Sequence, residues 1–313
     1  MCPRNNNKER IPKNKRMGSV SLLVICCSLF GAPQAQQVFR SGVDLTTFAI
    51  TATDKKGNIV TDLTRDDFEV IEDGKRQTAE YFAHGDGDAA PPMHLGLMID
   101  ASGSMQNDLK LAQGASIKFL NMLPAAEDIT LVDFDTQVRI TRYPQRDFAR
   151  VVERIRQRKA DGWTALYDAL GTYLDGADSQ DGRKVLVMYT DGGDSRSAIT
   201  LSETLTLLKA SNVTVYAIGL VENTGSARAQ MQMTLRQLAE ATGGQAFFPM
   251  AMKEVESAYD KVLAAIKGQY HLGYHSTNTA RDGAWRKVEI RVKRPDVRIR
   301  SRKGYFAPYQ AGS

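Results

Sequence analysis

The chain has 313 residues, 42% of them apolar and 25% charged, the balance of a soluble globular protein long enough for one large domain and a smaller one. Its formal charge of +5 is carried entirely by residues 1–16, where Arg4, Lys8, Arg10, Lys13, Lys15 and Arg16 stand against Glu9, so the rest of the chain is neutral and gives no global reason to bind nucleic acid or anionic lipid. Cys2, Cys26 and Cys27 all precede residue 36, which excludes disulfides, thiol catalysis and cysteine-based zinc sites from everything that follows.

Residues 1–35 read as an export signal: a basic stretch ending at Arg16, the uncharged run Gly18–Phe30, then the small residues Gly31-Ala32-Pro33-Gln34-Ala35. The run is too short for a comfortable membrane span, so the expectation is an exported, periplasmic or secreted protein with no integral span in its mature chain. Retention of this segment as an anchor is the alternative.

Residues 37–84 read as strands. Val43–Thr53 is rich in Thr and apolar residues with partial alternation. Asp54-Lys55-Lys56-Gly57-Asn58 is a turn, and Thr64-Arg65-Asp66-Asp67 is a cap or tight turn before Phe68–Glu72. Asp73-Gly74 marks a hairpin, with Arg76–Phe82 as its return strand. Residues 85–93 are small, polar and Pro-containing, as a linker would be.

Over 94–268 the pattern changes. Leu95–Ile99 and Val185–Tyr189 are continuous apolar runs, as in strands buried on both faces. Ile129–Phe134 and Val213–Ile218 are further strands, Val138–Ile140 a hairpin arm and Gln245–Phe248 a short strand. Helical spacing marks residues 106–123, 148–158, 165–174, 200–209, 235–242 and 252–267. Alternating strands and helices predict an α/β fold with a doubly wound, mostly parallel, Rossmann-like sheet, which binds ligands at the carboxyl ends of its strands. Residues 269–307 return to strands, in Gln269–Tyr274, Trp285–Lys293 and Val297–Arg300. They are expected to join residues 37–84 in a smaller all-β domain. The basic residues Arg291, Lys293, Arg294, Arg298, Arg300, Arg302 and Lys303 read as the solvated face of those strands.

Directly after the first buried strand stands Asp100-Ala101-Ser102-Gly103-Ser104. One carboxylate and two hydroxyls at alternate positions make a plausible nest for a hard divalent cation, which takes oxygen ligands. Asp100-x-Ser102-x-Ser104, Thr164 in Gly162-Trp163-Thr164-Ala165-Leu166, and Asp191 in Tyr189-Thr190-Asp191-Gly192-Gly193-Asp194 come in that order, each at a strand-to-helix junction on one sheet edge. In this the chain resembles the von Willebrand factor A family over roughly residues 94–268. The flanking Thr64–Val70, Glu72-Asp73-Gly74 and Arg302–Tyr305 are similar to exported bacterial proteins carrying such a domain between β-segments.

The resemblance implies a metal-ion-dependent adhesion site. Ser102, Ser104 and Thr164 would contact the ion through hydroxyls, and Asp100 and Asp191 largely through water. Mg2+ is the expected ion, with Mn2+ and Ca2+ as the other candidates. One open position would take an Asp or Glu of a protein partner, giving an extracytoplasmic adhesion or scaffold module. Taken singly, each element also reads as structural: Ser102, Ser104 and Thr164 as helix caps, Asp191-Gly192 as a turn. The alternatives are a structural module with an internally satisfied metal site and a magnesium-dependent hydrolase. The latter lacks a second carboxylate after Asp100 and a His in the loops, so no enzyme is expected. Asp133 and Asp135 either approach the site or are solvated, and Asp194 reads as a turn residue. His271 and His275, four apart in a strand, are not expected to chelate, and no phosphate-binding loop is present.

Overall fold

Leu95, Leu97 and Ile99 pack into one apolar cluster and Met98 into another, so the first strand of the central sheet is covered on both sides. The computed structural model describes residues 45–85, 90–123, 126–219, 226–250 and 252–310. The expected leader of residues 1–35 lies outside these residues. The strands are β1 (Leu45–Thr53), β2 (Phe68–Glu72), β3 (Lys75–Gln77), β4 (Tyr81–His84), β5 (Met93–Asp100), β6 (Asp128–Phe134), β7 (Val138–Pro144), β8 (Arg183–Tyr189), β9 (Val213–Ile218), β10 (Gln245–Phe247), β11 (Tyr270–His275), β12 (Trp285–Val292), β13 (Arg298–Arg300) and β14 (Gly304–Phe306). The helices are α1 (Leu109–Met122), α2 (Phe148–Gln157), α3 (Leu166–Asp178), α4 (Leu201–Ala210), α5 (Ser226–Glu240) and α6 (Met252–Lys267).

The central sheet has the order β10-β9-β8-β5-β6-β7 and is parallel except for the β6–β7 hairpin. Helices α1, α2 and α6 cover one face, against Leu97, Leu131, Val187 and Ile218. Helices α3, α4 and α5 cover the other, against Met98, Val132, Met188 and Val215. This is the doubly wound α/β sheet that the apolar runs predict. The chain leaves β5 toward β6 on one side and later returns to β8 on the other. The loops after β5 and β8 therefore meet at a topological switch point, where open α/β sheets bind ligands. Among the described residues no helix is long and apolar enough to cross a membrane.

The flanking segments interleave in two antiparallel sheets, β13-β1-β11-β4 and β14-β12-β2-β3. One core unites them, with Phe48, Ile50, Tyr270 and Tyr274 from the first sheet and Val70, Val288 and Ile290 from the second. Each sheet takes strands from both ends of the chain, so neither segment could bury its apolar face alone. Thr64 and Asp67 form the capping box that introduces β2.

Three expectations are corrected. The return strand over Arg76–Phe82 is two strands in different sheets: Lys75–Gln77 pairs with β2, and Tyr81–His84 crosses to β11. Gln77 and Ala83 are both buried six residues apart, so the alternation runs through the crossover and hides it. Helix α5 starts at Ser226 rather than near Leu235. Its early residues are good helix formers, but its buried positions, Thr234, Leu235, Leu238 and Ala239, all lie in its second half, so no apolar stripe marks the start. Nor is the basic run wholly solvated, since Arg294, Arg300 and Arg302 are partly buried.

Glu72, 2% exposed, is the polar centre of the sandwich. Its carboxylate accepts from Tyr274 Oη (2.7 Å), Ser276 Oγ (2.5 Å) and Tyr305 Oη (3.0 Å), joining β11, the loop after it and β14 to β2. Glu72→Ala leaves these hydroxyls without that acceptor and is expected to cost about 2–4 kcal/mol in urea unfolding. Glu72→Gln, which keeps one acceptor oxygen, should cost less.

Candidate metal site

Strand β5 ends in Asp100, fully buried, and the chain then turns through Ala101 and Ser102 into a single 3-10 turn at Gly103–Met105 before α1. Ser102 N–H donates to Asp100 Oδ1 at 2.9 Å, which folds the loop back over the carboxylate. Ser102 is 1% exposed, Ser104 is exposed, and their hydroxyls are 3.1 Å apart. The loop thus has one wall inside the protein and one in solvent.

Backbone hydrogen bonds tie the second loop to the first. Gly103 N–H donates to Gly162 O at 2.9 Å, and Asp161 N–H donates to Ala101 O at 2.9 Å. Gly162 has φ +75°, and a Cβ there would lie 2.4 Å from Thr136 Oγ1, so glycine is required on both counts. Thr164 follows, 7% exposed, and Ala165 N–H donates to Asp135 O at 3.0 Å as α3 begins.

The third loop closes the ring. Thr190 Oγ1 donates to Asp100 Oδ2 at 2.6 Å and accepts from Gly192 N–H at 3.1 Å. Asp191, 8% exposed, accepts from Gly193 N–H at 2.8 Å. Thr164 N–H donates to Ser195 Oγ at 3.0 Å, and Ser195 N–H and Arg196 N–H donate back to Thr164 O at 2.9 and 3.0 Å. Asp168 accepts from Ala198 and Ile199 N–H and fixes the far end of this loop on α3. Asp194 accepts from Tyr167 N–H and Ser197 Oγ, a turn and capping role.

All five residues singled out from the sequence, Asp100, Ser102, Ser104, Thr164 and Asp191, therefore stand on three loops bonded directly to one another. Thr190 and Ser195, which bond Asp100 and Thr164, were not singled out. Thr190 has the one local signal, a hydroxyl next to Asp191, while Ser195 has none, since its partner Thr164 is 31 residues away.

The electrostatics are one-sided. Burial pushes the Asp100 carboxyl up to about 6, and the charge of Asp191 adds to the rise. The groups that oppose it are neutral: the Ser102 and Thr190 hydroxyls and the Ser102 N–H. A carboxylate in this position lacks the charge partner that buried anions ordinarily have. Two carboxylates and three hydroxyls, all oxygen donors, fit a hard divalent ion. Among the described residues there is no cluster of three or more His, Cys, Asp or Glu placed to hold a metal, so such an ion would depend on the hydroxyls.

Asp133 and Asp135 are neither solvated nor in the loop ring. They are 5% and 7% exposed and engage Arg139, Arg154 and Arg158. Burial alone would raise the Asp135 carboxyl, but the Gln137 N–H, Arg139 and Arg158 together hold it below the usual carboxylate range. This network fixes the β6–β7 turn, whose Asp135 carbonyl and Thr136 hydroxyl in turn hold the second loop.

The model of the von Willebrand factor type A domain matches residues 94–280 of the chain. Among solved structures, a von Willebrand factor type A protein from Catenulispora acidiphila is similar at 14% identity, over 87% of this chain and 75% of that one, with a TM-score of 0.49. The vWF domain of a type V pili tip protein from Porphyromonas gingivalis is 13% identical over 56% of this chain and 95% of that one (TM-score 0.47). A pilus adhesin from Lactobacillus rhamnosus GG, in its open conformation, is 10% identical over 77% of this chain and 48% of that one (TM-score 0.49). No curated protein matches the chain.

Thr190→Val removes the hydroxyl bond to Asp100 while keeping the side-chain shape. Urea unfolding in EDTA should show a loss of about 1–3 kcal/mol, with Thr190→Ser much closer to the parent. Equal stability of Thr190→Val and the parent would mean that this bond does not hold the third loop to the first.

Proposed function

The chain belongs to the von Willebrand factor type A domain family, and on that premise we propose that it is an extracytoplasmic, metal-dependent protein-binding module. In this reading Ser102, Ser104, Thr164, Asp100 and Asp191 hold one divalent cation, Mg2+ foremost, and a partner protein contributes an Asp or Glu. The observation that supports the reading is the set of hydrogen bonds among three loops, which ties the loops bearing Ser102, Ser104, Thr164 and Asp191 to the buried Asp100 carboxylate, itself hydrogen-bonded by neutral donors.

When bound, the ion would supply the positive charge that Asp100 and Asp191 lack and an electrophile for an incoming carboxylate. The protein's own residues do the rest. Thr190 and the Ser102 N–H orient Asp100, Ser195 fixes the Thr164 backbone, and the Gly193 N–H fixes Asp191. The exposed hydroxyl of Ser104 leaves one side open to solvent. Trp163, 66% exposed next to Thr164, offers an aromatic side chain on the rim, the kind of residue that anchors protein interfaces. The loops of this ring carry no His, and we assign its carboxylates and hydroxyls to holding the ion rather than to a reaction.

We take residues 94–268 as the binding domain, with residues 37–84 and 269–307 forming the β-domain beside it. Placement outside the cytoplasm rests on the basic and then apolar leader of residues 1–35.

Mg2+ in excess at about 100 times its Kd is expected to raise unfolding stability by about 2.7 kcal/mol, reversibly with EDTA. Asp100→Ala should weaken Mg2+ binding about 10–100-fold in titration calorimetry. A pull-down from the exported fraction should recover a partner with Mg2+ and lose it with EDTA or Asp100→Ala. A partner retained equally in EDTA removes the metal from the mechanism.

A further inference from the structure

At the opposite end of the central sheet a cleft of about 730 Å3 separates the α/β layers from the sandwich. Arg183 and Lys184, which begin β8, line it, as do Asn212 and Thr214 at the start of β9. The candidate metal loops follow the other ends of β5 and β8. Along the seven residues of β8 that is a separation of about 20 Å, so the cleft is a distinct place.

Both charged and apolar residues line the cleft. Four Arg and Lys residues line it against two Asp. Lys184 is 4% exposed, and its ammonium donates to Asn212 Oδ1 at 2.9 Å. Arg302 reaches in from the sandwich, donating to Ser211 O at 3.2 Å and to Thr47 O at 2.8 Å, with its guanidinium 4.6 Å from the centre of the Phe48 ring. Among the described residues neither cation forms an ion pair with a carboxylate. Loss of solvent lowers both, Arg302 to about 10, and the charge of Arg302 adds to the lowering at Lys184 although Asp178 and Asp181 oppose it. Both cations line the same cleft and bond neighbouring residues of one loop, Lys184 to Asn212 and Arg302 to Ser211. Sequestered cations are ordinarily answered by an anion. Leu45 and Phe306, each 41% exposed, line the same cleft and offer it apolar surface.

We propose that this cleft binds a small amphipathic anion, its phosphate or carboxylate head between Lys184 and Arg302 and its apolar body against Leu45 and Phe306. The volume is that of a small-molecule site, and the combination of an apolar lining with a few convergent polar groups is what such sites use. Guanidinium and ammonium donors favour an oxyanion over a neutral polar head because hydrogen bonds between charged groups are the stronger ones. The metal plays no part in this binding.

The test is titration calorimetry of the full chain with octyl phosphate, in EDTA so that no metal ion can capture the phosphate. One-to-one binding is expected, tighter than that of octanol by about tenfold or more, the worth of a charge-assisted hydrogen bond, and tighter than that of inorganic phosphate by about tenfold or more, the worth of the buried alkyl chain. Lys184→Met should weaken it by about tenfold with its melting temperature held. Arg302→Met should do the same, and because Arg302 also ties the two layers together, Lys184→Met carries the test if that variant is unstable. Equal affinity for octanol overturns the cationic recognition, and equal affinity for inorganic phosphate overturns the apolar half. Unchanged affinity in Lys184→Met overturns the site. Co-sedimentation with phosphatidylglycerol vesicles in place of octyl phosphate binding would assign the cations to a membrane surface and overturn the soluble ligand.

Discussion

A carboxylate is held at the end of a strand buried on both faces, and the groups that answer it are neutral hydrogen-bond donors. Asp100 is fully buried, and its neighbours Thr190 and Ser102 offer hydroxyls and one N–H. Desolvation at this depth opposes ionisation and a second carboxylate, Asp191, adds to it. A fold that keeps such a group has either a use for the strain or a cation to relieve it. Everything at this edge of the sheet is arranged around that group: the turn after β5 folds over it, the loop after β8 donates to it, and the loop before α3 is bonded to both.

The rest of the α/β domain makes this arrangement rigid. The switch point between β5 and β8 brings two of the loops together by topology alone. The third is positioned by the Asp133–Asp135–arginine network through the Asp135 carbonyl and by Thr136 beneath Gly162. These supports combine backbone hydrogen bonds with short polar side-chain bonds, and they hold the three loops against one another. The sandwich contributes at the other end of the sheet, where Arg302 joins Thr47 of one layer to Ser211 of the other.

Much of this was legible in the sequence because it rests on local pattern. Leu95–Ile99 and Val185–Tyr189 are apolar without interruption, and only a doubly covered sheet needs that. The spaced Asp100, Ser102 and Ser104, with Thr164 and Asp191 each at a strand-to-helix junction, pointed to the edge where the loops now meet. What stayed hidden is non-local or unpatterned. The crossover between Gln77 and Tyr81 keeps its alternation while it changes sheets. The first half of α5 buries too little to leave a stripe. Thr190 and Ser195 bond across loops 90 and 31 residues apart, beyond any motif window. Arg302 sits in a basic run that reads as solvent-facing, and only the packing of β14 beside α4 places it between two layers.

Anomalous diffraction from crystals grown with Mn2+ tests the metal assignment most directly. One peak among the hydroxyls of Ser102, Ser104 and Thr164, absent from Asp100→Ala crystals, is the predicted result. Density there that carries no anomalous signal at saturating Mn2+, or a peak bound elsewhere on the chain, would contradict it.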